Sequence, residues 1–277
     1  KKIKIEELKE IEPHCAGIEG ILVPQAGIVD YKEVSKKYAE LFIEMGGQIH
    51  FNHKVQDIVH HNLSSTVTTI LGEFRSNVII NCAGLYSDKI AKLTDNNLDV
   101  QILPFRGEYY NLKKEKEYLV KNLIYPVPNP DFPFLGVHFT KMINGGIEAG
   151  PNAVLAYKRE GYTNRDVDLT ELFEILKYPG FHKVAIKFWR EGLYELYRSY
   201  SKSAFTKALQ KLIPEITQND LETGGAGVRA QACNSSGDLI DDFLIFENKN
   251  IINVCNAPSP AATSSYSIGE DIALIAL

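Results

Sequence analysis

Apolar residues recur at helical spacing near the start of the chain, and short β-branched runs lie on either side of them. The helical set comprises Val34, Tyr38, Leu41, Phe42 and Met45. It predicts a helix that begins after Asp30, a residue type that caps helix N-termini, and that ends at Gly46 and Gly47. Strands are predicted around this helix at Ile21 to Val23, Gln48 to Phe51, Val55 to Ile58, Ser65 to Leu71 and Val78 to Cys82. This order of strands and helix predicts α/β architecture.

From Gln101 onward the pattern changes. Alternating residues at Gly107 to Leu112 and at Phe134 to Phe139 predict a twisted antiparallel sheet. Helices are predicted next, at Leu169 to Phe181, Val184 to Tyr200 and Ser203 to Leu212. Two further strands, at Leu239 to Phe246 and Asn250 to Cys255, then lead into a final helix near Ala261. The predicted fold class is α/β plus α+β, in which residues 1–100 and 221–277 form one domain and residues 101–220 are inserted as a cap.

Composition narrows the classes of function. With 277 residues, 44% hydrophobic and 23% charged, the chain has the composition of a globular protein. A net charge of −5 argues against nucleic-acid binding, and an acidic substrate would need a local cationic pocket. The four cysteines form no CxxC pair, so we expect no metal site and no disulfide framework. We expect neither a membrane span nor a signal peptide, hence a cytoplasmic protein, with peripheral attachment to the inner membrane left open.

Three stretches carry more glycine, proline and small polar residues than packing requires. Val78 to Asp88 runs from an apolar strand into a turn and a helix, where α/β sheets bind ligands through backbone N–H groups. Gly224 to Arg229 combines a backbone that a ligand can approach closely with a planar cation that fits a carboxylate. Asn256 to Ser265 leads into the last helix, whose N-terminus stabilises a negative charge. Each stretch, taken alone, is also compatible with an ordinary junction, turn or capped loop.

These stretches belong to a longer ordered series of phrases. The series comprises Gly27 to Tyr31, Asn81 to Asp88, Pro104 to Tyr110, Tyr125 to Pro128, Leu135 to Thr140, Gly150 to Ala153, Gly227 to Arg229 and Asn256 to Thr263. On this series the chain resembles the L-2-hydroxyglutarate oxidase or dehydrogenase branch of the D-amino-acid-oxidase-like FAD-dependent oxidoreductase superfamily. The phrase around His138 and the Asn-Ala-Pro-Ser-Pro run are the specific ones.

The resemblance implies FAD as the cofactor and assigns residues to it. It matches Val55 to the backbone that meets the adenine. It matches Ala83 and Gly84 to the turn beside the diphosphate and ribose. The wall around the isoalloxazine ring is matched by Gly227, Ser259, Pro260, Ala261, Ala262 and Thr263.

On the substrate side the resemblance places His138, Arg106, Arg229 and Tyr109. It implies an enzyme that oxidises L-2-hydroxyglutarate to 2-oxoglutarate and passes the hydride to the flavin. A histidine suits the base that takes the hydroxyl proton, and two arginines suit the two carboxylates of a small dicarboxylate. The alternatives are a structural histidine hydrogen-bonded within the sheet and, for Arg106, a salt bridge at a domain seam.

The family opens with a strand, a GxGxxG phrase and a helix, and no GxGxxG occurs in these 277 residues. We therefore expect a truncated FAD-binding Rossmann-like domain at 1–100 and 221–277, a substrate-binding cap at 101–220, and weak or absent FAD binding with impaired activity in this fragment alone. The alternatives are an inactive remnant of such an oxidoreductase, or FAD-dependent oxidation of an amino acid or of glycerol 3-phosphate. Contact with oxygen, a quinone or a membrane, and the oligomeric state, are left open.

Overall fold

The structure is a computed structural model and describes residues 1–95, 97–128, 135–258 and 260–277. It divides into two compact units, each assembled from three separate stretches of chain. Unit 1 comprises Lys1–Asp30, Arg106–Ala156 and Phe188–Val228. Unit 2 comprises Tyr31–Phe105, Tyr157–Lys187 and Arg229–Leu277.

Strands and helices are numbered along the described residues. The strands are β1 (Lys2–Lys4), β2 (Glu19–Ile21), β3 (Val55–His60), β4 (Ser65–Thr69), β5 (Gly72–Ser76), β6 (Ile79–Asn81), β7 (Gln101–Leu112), β8 (His138–Lys141), β9 (Ile147–Gly150), β10 (Val154–Leu155), β11 (Leu221–Cys233), β12 (Leu244–Asn248) and β13 (Ile251–Asn256). The α-helices are α1 (Ile5–Ile11), α2 (Tyr31–Glu44), α3 (Ser87–Lys92), α4 (Leu169–Lys177), α5 (Pro179–Lys187), α6 (Trp189–Tyr200), α7 (Lys202–Leu209) and α8 (Ser265–Ala276). Short 3-10 turns include Gly84–Tyr86 before α3 and Ala261–Ser264 before α8. None of these helices is long and apolar enough to cross a membrane.

Unit 1 is built on an antiparallel sheet in which β9 lies between β7 and β8. Ala149 pairs with Tyr110 on one side and with Phe139 on the other. Since side chains alternate between the faces of a strand, these three residues point to the same face. Helix α7 covers that face, where the ring of Phe205 lies 4.8 Å from the ring of Tyr110. The apolar core of unit 1 therefore lies between the sheet and α7, and the opposite face carries the polar side chains.

The described residues of unit 2 include two small three-stranded sheets. In the first, β13 lies between β12, with which it is antiparallel, and β6, with which it is parallel. Helix α8 packs on this sheet through Ile272, which contacts Ile252 and Val254 in a buried cluster. The second sheet is the antiparallel meander β3–β4–β5. The parallel pair β6 and β13 matters most for the site, because both strands end at the same edge.

The predicted mixture of α/β and antiparallel elements is confirmed. The helix expected after Asp30 is α2, although none of its fourteen described residues is buried. The strand predicted at Gln48 to Phe51 is wrong, because that segment turns and Asn52 has a φ of 62°.

Other element bounds also differ from the prediction. The helices expected at Leu169 to Phe181 and Val184 to Tyr200 are three helices, with breaks before Pro179 and at Phe188. Proline suits the first position of α5, where its missing N–H costs no helical hydrogen bond. The glycine-rich phrase after Gly224 lies within strand β11. Phe134, at the start of one predicted strand, lies outside the described residues.

The division into a cofactor domain at 1–100 and 221–277 and a cap at 101–220 stays a prediction. The compact units have other bounds. Residues 1–30 belong to unit 1, and residues 157–187 belong to unit 2.

Candidate functional site

The exposed turn after β6 is the first part of the candidate site. Cys82, Ala83 and Gly84 are exposed, and Gly84 has a φ of 55°, in the left-handed region that favours glycine. The backbone N–H of Ala83 donates to Oδ1 of Asn81 at 3.2 Å. An added Cβ at Gly84 would meet no described atom within 4 Å. The turn therefore presents bare backbone at the carboxyl end of a parallel strand.

A pair of buried asparagines joins the two parallel strands beneath this turn. Asn81 lies opposite Asn253 in the register, and its Nδ2 donates to Oδ1 of Asn253 at 2.9 Å and to the Ser87 carbonyl at 2.9 Å. The Ser87 hydroxyl donates to the Cys255 carbonyl at 3.3 Å. The turn is thus fixed beside the end of β13. Nδ2 of Asn253 is buried and has no hydrogen-bond partner among the described residues.

The segment after β13 forms the second part of the site in unit 2. The N–H of Ala261 donates to the Pro258 carbonyl at 2.8 Å. The N–H and hydroxyl of Thr263 both donate to the Pro260 carbonyl, at 3.0 and 2.7 Å. The predicted residues Pro260, Ala261, Ala262 and Thr263 therefore form a compact turn that leads into α8, while Ser259 lies outside the described residues. Val55, the predicted adenine contact, is half-buried at the start of β3.

His138 begins β8 in unit 1. Its Nδ1 lies 3.1 Å from the Gly136 carbonyl, and its ring stacks on Tyr125 with centroids 4.3 Å apart and planes 24° apart. A carbonyl oxygen only accepts hydrogen bonds, so Nδ1 carries the proton in this contact. In the neutral ring Nε2 is then the basic nitrogen. The local geometry thus selects the tautomer that can accept a proton at Nε2.

The strand pleat places His138 on the polar face of the unit 1 sheet. His138 pairs with Gly150, and Thr140 pairs with Glu148, so these residues share the face opposite the buried Phe139.

Asn111 pairs with Glu148, and alternation along β7 puts Tyr109 on the same face as Asn111. Burial raises the pKa of the Glu148 carboxyl. His138 and Tyr109 are therefore brought to one face, together with a carboxyl group that sequence reasoning missed.

Arg106 is placed differently from Tyr109. It is 1% exposed, and its Nε and Nη2 lie 3.1 and 3.0 Å from Oε1 of Glu108. The other oxygen of Glu108 accepts from Nδ2 of Asn152 at 2.6 Å. Alternation along β7 puts Arg106 on the face opposite Tyr109. Arg106 is thus part of a buried ion pair within unit 1, and its substrate-side role stays a prediction.

The glycine-rich part of β11 approaches β7 closely at one point. A Cβ at Gly224 would lie 2.9 Å from the Tyr109 carbonyl oxygen, so only glycine fits there. At Gly227 an added Cβ would meet no described atom within 4 Å. Gly227 is exposed in unit 1, and Arg229 is half-buried in unit 2. An open backbone at Gly227 is compatible with the predicted contact to a flat ring.

Each unit therefore brings part of the predicted site together. Unit 2 places the turn at Ala83 and Gly84 beside the strand that leads to Pro260 and Thr263. Unit 1 places His138 and Tyr109 on one sheet face. The convergence of the two sets around one ligand stays a prediction.

Comparison with known proteins identifies the family. The family model described as FAD dependent oxidoreductase matches residues 1–274. The protein named L-2-hydroxyglutarate dehydrogenase in Indibacter alkaliphilus is 60% identical over 273 residues, covering 98% of this chain and 68% of that protein. The Escherichia coli K12 protein of the same name is 43% identical over 271 residues, covering 98% of this chain and 64% of its own length. The chain thus spans about two thirds of the length of these relatives.

Solved structures show the same fold. L-alpha-glycerophosphate oxidase from Mycoplasma pneumoniae with FAD bound has a TM-score of 0.74 at 19% identity, covering 100% of this chain and 64% of that chain. Glycine oxidase from Geobacillus kaustophilus has a TM-score of 0.66 at 14% identity, covering 99% and 61%. The superfamily and the FAD cofactor expected from the sequence agree with these matches. The chain belongs to the FAD dependent oxidoreductase family.

Proposed function

We propose that the protein carrying this chain oxidises L-2-hydroxyglutarate to 2-oxoglutarate with FAD. The observation that supports this proposal most strongly is the 60% identity, over 98% of this chain, to a protein named L-2-hydroxyglutarate dehydrogenase. The geometry of His138 supports the same reaction, since its ring offers Nε2 as a proton acceptor on a polar sheet face. Oxidation of a hydroxy acid needs a base of this kind.

The backbone of unit 2 fits a dinucleotide. Ala83 and Gly84 are exposed, and Gly84 leaves open the space that a Cβ would fill. The turn lies at the carboxyl end of β6, where α/β sheets bind nucleotides, and the segment at Pro260 to Thr263 follows the adjacent parallel strand. In the proposal Ala83 and Gly84 hold the diphosphate, Val55 meets the adenine, and Gly227 with residues 259–263 borders the ring. Bound FAD would supply the acceptor for the hydride that leaves C2 of the substrate.

In the proposed reaction His138 takes the proton of the substrate hydroxyl at Nε2. The carbonyl of Gly136 holds the Nδ1 proton in place, so the ring cannot present Nδ1 as the base. Stacking on Tyr125 limits rotation of the ring. The proton ends on the imidazole and passes to solvent after the 2-oxo acid leaves.

The two carboxylates of the substrate need cationic or hydrogen-bonding partners. Arg229 and Tyr109 are the candidates, with Arg106 as the third. Since Arg106 pairs with Glu108, it would bind a carboxylate only by sharing its guanidinium with that residue. We assign residues 1–100 and 221–277 to FAD and residues 101–220 to substrate, as a further part of the proposal.

The experiment is a substrate comparison under anaerobic conditions. The protein is mixed with FAD, and the absorbance of the oxidised flavin is followed after addition of L-2-hydroxyglutarate, its D-enantiomer, glycerol 3-phosphate or glycine. Bleaching by the L-enantiomer alone supports the proposal. Equal bleaching by both enantiomers, or preference for glycine or glycerol 3-phosphate, would contradict it.

The same preparation addresses one further expectation, weak FAD binding, and two questions that the sequence leaves open. Flavin retained by the 277-residue chain through gel filtration would contradict weak binding by this chain alone. Reoxidation by air and by a soluble quinone distinguishes the two acceptors. Sedimentation with vesicles tests the peripheral membrane contact that the sequence leaves open.

A further inference from the structure

Unit 2 contains a buried ion pair that the proposed reaction does not use. Arg159 and Asp88 are 2% and 1% exposed. Nη1 of Arg159 lies 2.5 Å from Oδ1 of Asp88, and Nη2 lies 2.8 Å from Oδ2, so the pair is bidentate. The two residues are 71 positions apart in the sequence. Arg159 lies within residues 101–220, the range predicted to form the cap, and the structure places it in unit 2.

Arg159 contacts the turn after β6 at three successive points. Its Nη1 also donates to the carbonyl of Leu85, its guanidinium lies 5.7 Å from the centroid of the Tyr86 ring, and Asp88 is the second residue of the helix that follows. Asp88 in turn accepts from the N–H of Ile102 at 3.1 Å. The guanidinium of Arg159 therefore contacts the backbone of the turn, one of its side chains and the helix that follows it.

The loop that carries Arg159 is itself anchored. The N–H of Arg159 donates to Oε2 of Glu171 in the first turn of α4 at 2.7 Å. Lys89 of α3 lies 2.9 Å from Oε2 of Glu174, also in α4. Helix α4 thus holds both the arginine and the helix that it contacts. The arginine is therefore fixed on its loop by contacts within unit 2.

A buried ion pair is a weak source of stability, because removing two charges from water offsets most of their attraction. Its geometry is better suited to fixing the shape of what it contacts. The turn is held at its start by Asn81, whose Oδ1 accepts from Ala83, and at its end by Arg159 through the Leu85 carbonyl. Between these two points lie Ala83 and Gly84, the exposed backbone of the candidate dinucleotide site.

We propose that Arg159 is a positioning residue for FAD: by binding Asp88 and the Leu85 carbonyl, it holds the turn at Ala83 and Gly84 in the shape that receives the diphosphate. The inference rests on the proposed FAD site. Asp88 lies four residues after Gly84, and its charge would repel a diphosphate if it were not paired. Arg159 therefore fixes the turn and neutralises the buried carboxylate of Asp88 in the first turn of the following helix.

The test is Arg159→Lys in the protein carrying this chain, with Arg198→Lys as the matched control. Lysine keeps the charge but lacks the planar fork, so it cannot serve both oxygens of Asp88 and the Leu85 carbonyl. Arg198 is also buried and paired with a carboxylate, Glu195, but it lies in unit 1. The FAD dissociation constant is measured by flavin fluorescence. We expect Arg159→Lys to raise it about tenfold and Arg198→Lys to leave it within twofold.

Amide hydrogen exchange of the protein without FAD is the second readout. The N–H groups of Tyr86 and Ser87 close the turn by donating to the Ala83 and Gly84 carbonyls. We expect Arg159→Lys to speed their exchange about tenfold while the amides of β13 stay protected. Unchanged exchange of the turn, or equal loss of FAD affinity in both variants, would overturn the proposal.

Failure of the proposed function gives a different result. If the unmodified protein shows no FAD binding, the FAD site is wrong, but exchange at Tyr86 still decides whether Arg159 shapes the turn. If Arg159→Lys does not fold, the double variant Asp88→Asn with Arg159→Gln takes its place. It replaces the ion pair by two neutral amides, and the shorter glutamine side chain cannot donate to the Leu85 carbonyl. That variant is expected to show the same loss of FAD affinity. Wild-type affinity in it would also overturn the inference.

Discussion

Replacing His138 by asparagine separates the proposed base from its structural role. The amide nitrogen of asparagine occupies the position of Nδ1, so it can still donate to the Gly136 carbonyl. Nothing in the new side chain replaces the basic Nε2. The variant should therefore keep the contact to the Gly136 carbonyl and lose the proposed proton acceptor.

The expected cost to the activation barrier is several times the expected cost to folding stability. Losing the stack on Tyr125 costs at most about 0.5–1.5 kcal/mol, and the lower end applies because Tyr125 is half exposed. Losing a general base costs about 10²–10⁴-fold in rate, which is about 3–5 kcal/mol in the activation barrier. Activity should thus fall far more than folding stability.

The assay is the anaerobic rate of flavin bleaching by saturating L-2-hydroxyglutarate in a stopped-flow instrument, over a range of pH. Protonation of the imidazole removes the lone pair at Nε2, so the parent rate falls as the pH is lowered. The His138→Asn variant should lack this acid limb. Tyr125→Phe, which keeps the stacked ring, serves as the control and should retain the parent rate within about threefold.

A loss of less than tenfold in His138→Asn would refute the reasoning. So would an unchanged acid limb in that variant, since another group would then be the base. A large loss in Tyr125→Phe would show that the phenol hydroxyl, rather than ring orientation, matters.

Three further predictions concern the supporting structure. Phe205→Ala should destabilise unit 1 by about 3–5 kcal/mol, because it empties a fully buried site. Urea unfolding, followed by the fluorescence of the single tryptophan, Trp189, measures this cost. A cost below about 1 kcal/mol would contradict the described core. Gly84→Ala should lower the free energy of unfolding by about 1–2 kcal/mol through the φ of 55° alone, since the added methyl group meets no described atom within 4 Å. Thermal unfolding tests this prediction. An unchanged unfolding midpoint would refute the left-handed conformation. Burial raises the pKa of the Cys255 thiol to about 12, so this thiol is protonated at pH 8 and should resist alkylation, while the exposed Cys82 reacts. Mass spectrometry of the labelled peptides measures the two alkylation rates. Faster labelling of Cys255 would contradict its burial.

The sequence predicted correctly those elements whose capping residues, glycines and apolar runs lie within the element or next to it. Helix α2 begins directly after Asp30 and ends near Gly46 as its spacing indicates, and β6 leads into the turn at Ala83 as expected. In these places capping, glycine and a β-branched run all lie within a few residues of the feature that they determine. The element type and the candidate turn followed from the sequence for that reason.

Features set by distant contacts could not be predicted in this way. Helical periodicity continues through Phe188, but the chain leaves unit 2 there and enters unit 1, and the helix breaks. Arg159 has no local sign of burial, because its partner Asp88 lies 71 residues earlier. Glu148 was missed for a similar reason, since it joins His138 on one face only through the register of β8 and β9.

The same dependence on distant pairing affects how the chain folds as it is made. Asn81 and its partner Asn253 are 172 residues apart. At a synthesis rate of ~5–20 residues per second, roughly 10–35 s pass between their emergence from the ribosome. During that interval β6 is without its parallel neighbour, and pairings of such long separation form slowly. The turn at Ala83 and Gly84 is consequently among the last parts of the molecule to take shape, and a nascent chain interrupted before Ile251 would contain the residues of the turn without the strand that fixes them.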